Sequence, residues 1–328
     1  MNRRNAALVP FALLPSTFPF PAKGQQGRRY KIGYLVQSPL IEPPGVERAA
    51  FLEELKKLGY EVGKNLLIEY RSAENTPDFL PDLAEELVKL GVDVIVVTGG
   101  AAVAAAKAAT HRIPIVLTQH SDPVGQGLAK SLSHPGGNVT GMSSVSSDLA
   151  GKRLQLLREI VPGVKRVALP YGSYAATIPR EIKISMQIAL SLDMAIEPHA
   201  VDSADSLLRW FEKISRHRPD AMMVLPDVKT VSYRDVLVEQ ASRHQLPLVA
   251  GWPELVRAGA LLSYSADFVD LFRRSAHFVD KILRGAKPSD LPIEQPTRFT
   301  MLLNMKTAKQ LRLRVAQSTL IRADEVIE

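Results

Sequence analysis

Thr118 to Gly141 reads TQHSDPVGQGLAKSLSHPGGNVTG and follows an apolar run, Ile113–Leu117. His120, Ser121 and Asp122 supply the letters of a nucleophilic triad. Three adjacent loop residues cannot point at one another as a triad requires, so His120 reads as a polar loop residue. Gly125-Gln126-Gly127 begins a dinucleotide-binding pattern, but Lys130 stands where the third glycine belongs, and a strand does not lead directly into it. The chain has neither GxxxxGK[ST] nor a Gly-x-Ser-x-Gly elbow. Its 7 histidines show no metal-ligand spacing, and with 0 cysteines it lacks thiol nucleophiles, disulfides and cysteine metal sites. Reaction chemistry finds little support, and neither a cofactor nor a metal is expected.

Binding chemistry finds more. Thr98, with the amides of Gly99 and Gly100 at a helix start, suits a carboxylate. Asp122, Asp227 or Asp267 suits an ammonium group, and Tyr171, Trp252 or Tyr264 can stack on an apolar portion. Together they fit a small zwitterion. Thr98 as a helix cap and Trp252 as a core residue are the structural alternatives.

The elements that must carry these residues alternate. YKIGYLV (Tyr30–Val36) reads as a strand and Val46–Leu58 as an amphipathic helix closed by Gly59. NLLIEYR, a helix over Phe79–Leu90, VDVIVVTGG, an Ala-rich helix over Ala101–Ala109, and IPIVLT follow. Short apolar strands alternating with helices imply βαβ units and a parallel sheet. The second half repeats the first: VDVIVVTGG…HRIPIVLTQHSD aligns with PDAMMVLPD…HQLPLVAGWPE, matching Asp93 with Asp220, His111 with His244 and Pro114 with Pro247. KIGYLV has a counterpart in KRVALP, and LLIEY in MAIEPH. We expect an α/β protein of two doubly wound parallel-sheet lobes of like topology.

Lobe 1 is expected over 28–144 with a helix, 266–285, crossing back, and lobe 2 over 145–265 with 297–328. Several crossings make a hinge. Ligands of parallel sheets sit at the carboxyl ends of the strands. This picks Gln37, Ser38, Thr98, Gly99, Gly100, Ser121 and Asp122 in one lobe, and Tyr171, Asp227, Trp252, Tyr264 and Ser265 in the other. Asp122-Pro123 turns the chain out of its strand, Gly125 and Gly127 permit close approach, and HPGGN turns into VTG. That segment reads as cleft rim and connector.

Composition agrees. In 328 residues, 46% are apolar and 23% charged, which suits a globular chain of two domains. The net charge of +7 is not gathered into a basic stripe, so nucleic acid is not an expected partner. Glu53/Lys57 and Glu85/Lys89 read instead as i,i+4 pairs. Residues 1–27 read as a signal peptide or a disordered N-terminal segment. Arg3 and Arg4 precede an apolar core, Ala7–Leu14, interrupted by Pro10, and small residues flank a cleavage site before Gln25. That core is too short to span a bilayer.

DPVGQGLAKSLSHPGGNVTG, the stretch from LLSYSAD to MKTAKQLRL, and LIRADEVIE resemble the ABC-transporter substrate-binding proteins of tryptophan-binding-like type, from Lys31 to Glu328. The resemblance implies a type I periplasmic-binding-protein fold: a monomeric, exported, periplasmic receptor that clamps a small molecule, an amino acid or related solute, and delivers it to a membrane permease. By position, the family's pocket loops fall at Gln37-Ser38, Thr98-Gly99, Ser121-Asp122, Tyr171, Asp227 and Ser265. ALPYGSYAATIPR departs from the family's Asn-Pro type loop, and Ser265 stands where it has a glycine. A ligand-sensing module signalling to a partner protein, or a doubly wound enzyme using His120 or Asp122, are the competing readings.

Overall fold

The computed structural model describes residues 29–172, 178–214, 218–226 and 228–328. The N-terminal segment 1–27 and Asp227 lie outside the described residues. The first half runs β1 (Tyr30–Val36), α1 (Val46–Lys57), β2 (Leu66–Ser72), α2 (Leu80–Lys89), β3 (Val94–Thr98), α3 (Gly100–Ala109), β4 (Ile115–Gln119) and β5 (Val139–Gly141). These strands form one parallel sheet in the order β2-β1-β3-β4-β5.

The chain then leaves for a second unit. It holds α4 (Ser146–Ile160), β6 (Arg166–Tyr171), α5 (Ile178–Ser191), β7 (Ala195–Ala200), α6 (Ala204–Ile214), β8 (Ala221–Val224), α7 (Val228–Ser232), α8 (Arg234–Arg243), β9 (Leu248–Ala250), α9 (Pro253–Ala258) and β10 (Leu262–Ala266). Next, α10 (Phe268–Leu283) returns to the first unit, where it packs on α1 and β4. Finally β11 (Phe299–Asn304), α11 (Met305–Gln310), α12 (Gln317–Ile321) and β12 (Glu325–Ile327) complete the second sheet, in the order β12-β11-β10-β9-β8-β6-β7. This sheet is mixed: β11 runs antiparallel to β10, and β12 parallel to β11. The terminal LIRADEVIE is thus part of a helix and an edge strand.

Alternation of side chains gives each sheet two apolar faces. In the first sheet Ile32, Tyr34, Val36, Val94 and Val96 pack toward α1 and α10, while Leu35, Ile95 and Val97 pack toward α2 and α3. In the second, Val167, Leu169 and Met223 face α4 and α5, and Ala168, Met222 and Val224 face α6 and α8.

The internal repeat extends to backbone bonding. Asp93 Oδ2 accepts the amide of Lys31 at 2.8 Å, and Asp220 Oδ2 accepts that of Lys165 at 2.9 Å, so each carboxylate anchors the start of its unit's first strand. The carbonyls of Pro114 and Pro247 accept the amides of Ile95 and Met222, each at 2.8 Å. These two aligned pairs therefore do the same work in both halves.

Three crossings join the units, around 142–145, at 266–267 and at 294–298. Two of them are bonded together: Ser143 donates its amide to Glu294 O at 2.8 Å, and Glu294 donates to Gly141 O at 2.9 Å. At Gly141, φ is +125° and an added Cβ would lie 2.4 Å from Leu117 O, so only glycine lets β5 run this close to β4 before the first crossing. Gly285 closes α10 at φ +103°, the left-handed stop that helix C-termini favour. Among surface ion pairs, Lys89 meets Glu85 at 3.2 Å as the spacing predicts, whereas Lys57 pairs with Glu54 at 3.0 Å rather than Glu53.

Candidate functional site at the junction of the two units

The carboxyl ends of β1, β3 and β4 present Gln37-Ser38, Thr98-Gly99-Gly100 and His120-Ser121-Asp122. Gln37 is buried and Ser38 exposed, its carbonyl accepting the Ser72 hydroxyl at 2.9 Å. Thr98 is already engaged. Its hydroxyl lies 2.8 Å from that of Thr118, and it hydrogen-bonds the Tyr34 phenol, whose pKa burial raises. Gly99 caps α3 with φ +92° and no side-chain cap, which leaves the first-turn amides of α3 without an intrahelical acceptor.

The Asp-Pro turn forms as its residues demand. Asp122 Oδ1 accepts the Gly125 amide at 2.8 Å, an Asx turn. The other carboxylate oxygen pairs with Arg180, at the start of α5 in the second unit. A Cβ at Gly125 would fall 1.6 Å from Arg180 Nη1, so a larger residue there would push the end of that side chain away from Asp122. The close approach that this glycine permits is therefore to a side chain from the other unit.

A cavity of about 140 Å³ opens at this contact. Ser121, Asp122, Pro123 and Val124 line it from the first unit, Ser147, Asp148, Arg180 and Ile184 from the second, and Ser143 and Gln295 from the crossings. The Ser147 hydroxyl is buried without a hydrogen-bond partner among the described residues. With one guanidinium and two carboxylates, the lining offers partners of both signs.

His120 is 2% exposed. Its Nδ1 accepts the Asp122 amide at 3.1 Å. Burial lowers the ring's pKa to about 4, against smaller upward contributions from Gln126 and Asp122. Its carbonyl accepts from Ser144 N at 2.9 Å and Ser143 Oγ at 3.2 Å, which fixes the β4 loop to the first crossing.

The aromatic candidates pack within the protein. Trp252 stacks on Phe268 with centroids 4.2 Å apart, joining the start of α9 to the start of α10 across the units. Tyr264 lies parallel to Phe299 at 6.1 Å, and Ser265 Oγ is 3.4 Å from Thr300 Oγ1. Tyr171 is half-buried at the end of β6, against the core of the second unit. Asp267 caps α10 by accepting the Asp270 amide at 3.0 Å.

Ser121 and Asp122 thus share a cavity, Thr98, Gly99 and Gly100 lie at neighbouring strand and helix ends, and Trp252, Tyr264 and Ser265 serve the packing near the crossings. Arg180, Ser147, Asp148 and Gln295 escaped the sequence reading. Arg180 had a weak signal, a cation opening the helix after a lobe-two strand; the others are polar residues at element boundaries.

The second unit also buries two charged residues, Arg153 of α4 and Glu181 of α5. Arg153 of α4, 1% exposed, donates through Nε to Tyr264 O at 2.8 Å and through its other nitrogens to Ser146 at 3.4 Å. Burial lowers its pKa to about 10, while Glu181 of α5 acts to raise it. Among the described residues no group of His, Asp and Glu is placed to hold a metal ion, and no helix is long and apolar enough to cross a membrane.

Two α/β units of like topology, bridged by three crossings with a polar cavity between them, define the class of type I periplasmic binding proteins. Within it, the model of the ABC transporter substrate-binding protein family matches residues 39–327, and the chain belongs to that family. A tyrosine-binding protein of Clostridioides difficile is 26% identical over 293 residues, 88% of this chain and 84% of the relative. The crystal structure of an ABC domain from Streptococcus pneumonia in complex with L-Trp aligns with a TM-score of 0.85 at 25% identity, over 91% of this chain and all of that one. A conserved domain protein from Vibrio cholerae gives the same TM-score at 26% identity, again over 91% of this chain and 100% of its own.

Proposed function

We propose that this chain is the extracytoplasmic solute receptor of an ABC importer, closing its two lobes on an amino acid with an aromatic side chain and presenting it to a membrane permease. The observation that carries this reading is the cavity lined by both lobes and the crossings, with Arg180 of one lobe paired to Asp122 of the other. Such a cavity exists only when the lobes approach, so a solute that contacts both sides favours the closed arrangement over the open one. Alignment of 91% of the chain on an L-Trp complex at a TM-score of 0.85 supports the same arrangement. Support for an aromatic amino acid comes from that complex and from the tyrosine-binding relative.

In this reading Thr98, Gly99, Gly100, Ser121 and Asp122 form the first lobe's side of the solute site. Tyr171 forms the other side with Arg180, while Gln37, Ser38, Trp252, Tyr264 and Ser265 border it. Export fits the N-terminal sequence, and delivery to a permease fits the family. Isothermal titration of protein freed of solute by unfolding and refolding tests the proposal. L-Tyrosine or L-tryptophan is expected to bind with a Kd of micromolar or below. Absence of heat with either, together with binding of an unrelated solute class, would refute the assignment.

A further inference from the structure

We propose that the second lobe holds a small-molecule site of its own, separate from the cavity between the lobes, for a monoanion with a short apolar body. Such a site stands apart from the receptor reading and does not depend on it.

The site lies at the amino ends of β9 and β10, whereas the carboxyl end of β9 leads to Trp252 at the junction with the first lobe. Because β11 runs antiparallel to β10, its carboxyl end arrives here and continues as α11. Between α8, α11 and the turn after α9 opens a cavity of about 290 Å³, against about 140 Å³ for the one between the lobes. Small-molecule sites begin at roughly this size, about 300 Å³. Ala241, Leu246, Leu248 and Ala260 give the cavity a buried apolar floor. Its walls are pinned: Thr307 Oγ1 donates to Gly259 O at 2.8 Å, and Asn304 Nδ2 to Val256 O at 3.1 Å.

Uncommitted polar groups border this floor. The carboxamides of Gln245 and Gln310 and the hydroxyl of Ser242 line the cavity and make no hydrogen bond among the described residues. A few such groups over an apolar floor fix a small ligand's head while its body leaves water. Charge selects the sign of that head. On α8 and α9 every acid is already paired: Asp235 with Arg234, Glu239 with Arg243, and Glu254 with Arg257. Lys306 and Lys309 of α11 are exposed and make no ion pair among the described residues. Lys306 stands four residues before Gln310, on the helix face that lines the cavity. At the same rim Arg218 Nη2 donates to two carbonyls, His244 O at 2.8 Å and Gln245 O at 3.2 Å, and no carboxylate neutralises it among the described residues. An anionic head is therefore met by amide N–H groups and unneutralised cations, and a cationic head is repelled.

Octanoate and octylamine, similar chains with opposite charges, test the site by amide chemical-shift mapping on ¹⁵N-labelled protein. Octanoate is expected to move the signals of Gln245, Leu246, Ala260 and Leu311 saturably, with a Kd of about 1 mM or below for so small a ligand. Octylamine is expected to leave them short of saturation at the same concentrations. Lys306→Glu, a change at an exposed position of a short helix, is expected to weaken octanoate about three- to tenfold, less so in half-molar salt. Unmoved signals at the lining, shifts spread alike over both lobes, equal binding of octylamine, or unchanged octanoate affinity in Lys306→Glu would each overturn the assignment. So would displacement of octanoate by L-tryptophan, which would put the probe in the cavity between the lobes.

Discussion

Arg180 and Asp122 form an ion pair between the two units. The Asp122 carboxylate is mostly covered and fixed by its turn to Gly125, whereas the Arg180 side chain is 56% exposed. An ion pair with one partner this wet contributes no more than about 1 kcal/mol. Arg180→Ala is therefore expected to weaken solute affinity about two- to fivefold, through faster dissociation, since the pair forms on closing. Half-molar salt should erase most of the difference between wild type and variant. Stopped-flow dissociation at low and high salt checks this; an unchanged rate in the variant would remove the pair from the closing mechanism. The sequence displayed Asp122 clearly, through Asp-Pro and the glycines after it. It concealed Arg180, because nothing local in ATIPREIK reveals that the helix start faces a loop nearly sixty residues earlier.

At the scale of elements, α4 carries the chain from the first crossing into the second lobe and is tied there by Arg153. That side chain spans from Ser146 to the Tyr264 carbonyl, so it locks the helix to β10, the strand leading into the next crossing. Arg153 is buried with Glu181 of α5 acting on it, and removing one partner of buried opposite charges is strongly destabilising. Arg153→Ala is expected to cost about 3–5 kcal/mol in urea unfolding, and the double variant Arg153→Met with Glu181→Leu to recover most of it. A loss below about 1 kcal/mol would show that Arg153 only fills space. Elements of this kind were largely legible. Buried parallel strands are continuous apolar runs, and the Asp93/Asp220 and Pro114/Pro247 alignment marked residues that prove to make equivalent bonds. The short edge strand β12 was not legible, since Glu325–Ile327 has too few residues for a period and is defined by its neighbour β11. Tyr264 and Trp252 looked available for a solute because strand ends place residues near a cleft. Which way each ring turns is set by Phe299 and Phe268, distant in sequence.

For the whole molecule, the two sheets are separate bodies with their own cores, linked at three places by chain that is hydrogen-bonded but narrow. Such a junction permits hinge motion, and the contacts bridging the lobes away from it are few enough to break and remake. Small-angle X-ray scattering on refolded, solute-free protein, repeated with saturating L-tyrosine or L-tryptophan, measures this motion directly. The radius of gyration is expected to fall with solute and the curve to approach that calculated from the present structure. Binding detected by calorimetry without any change in scattering would contradict lobe closure as the means of capture.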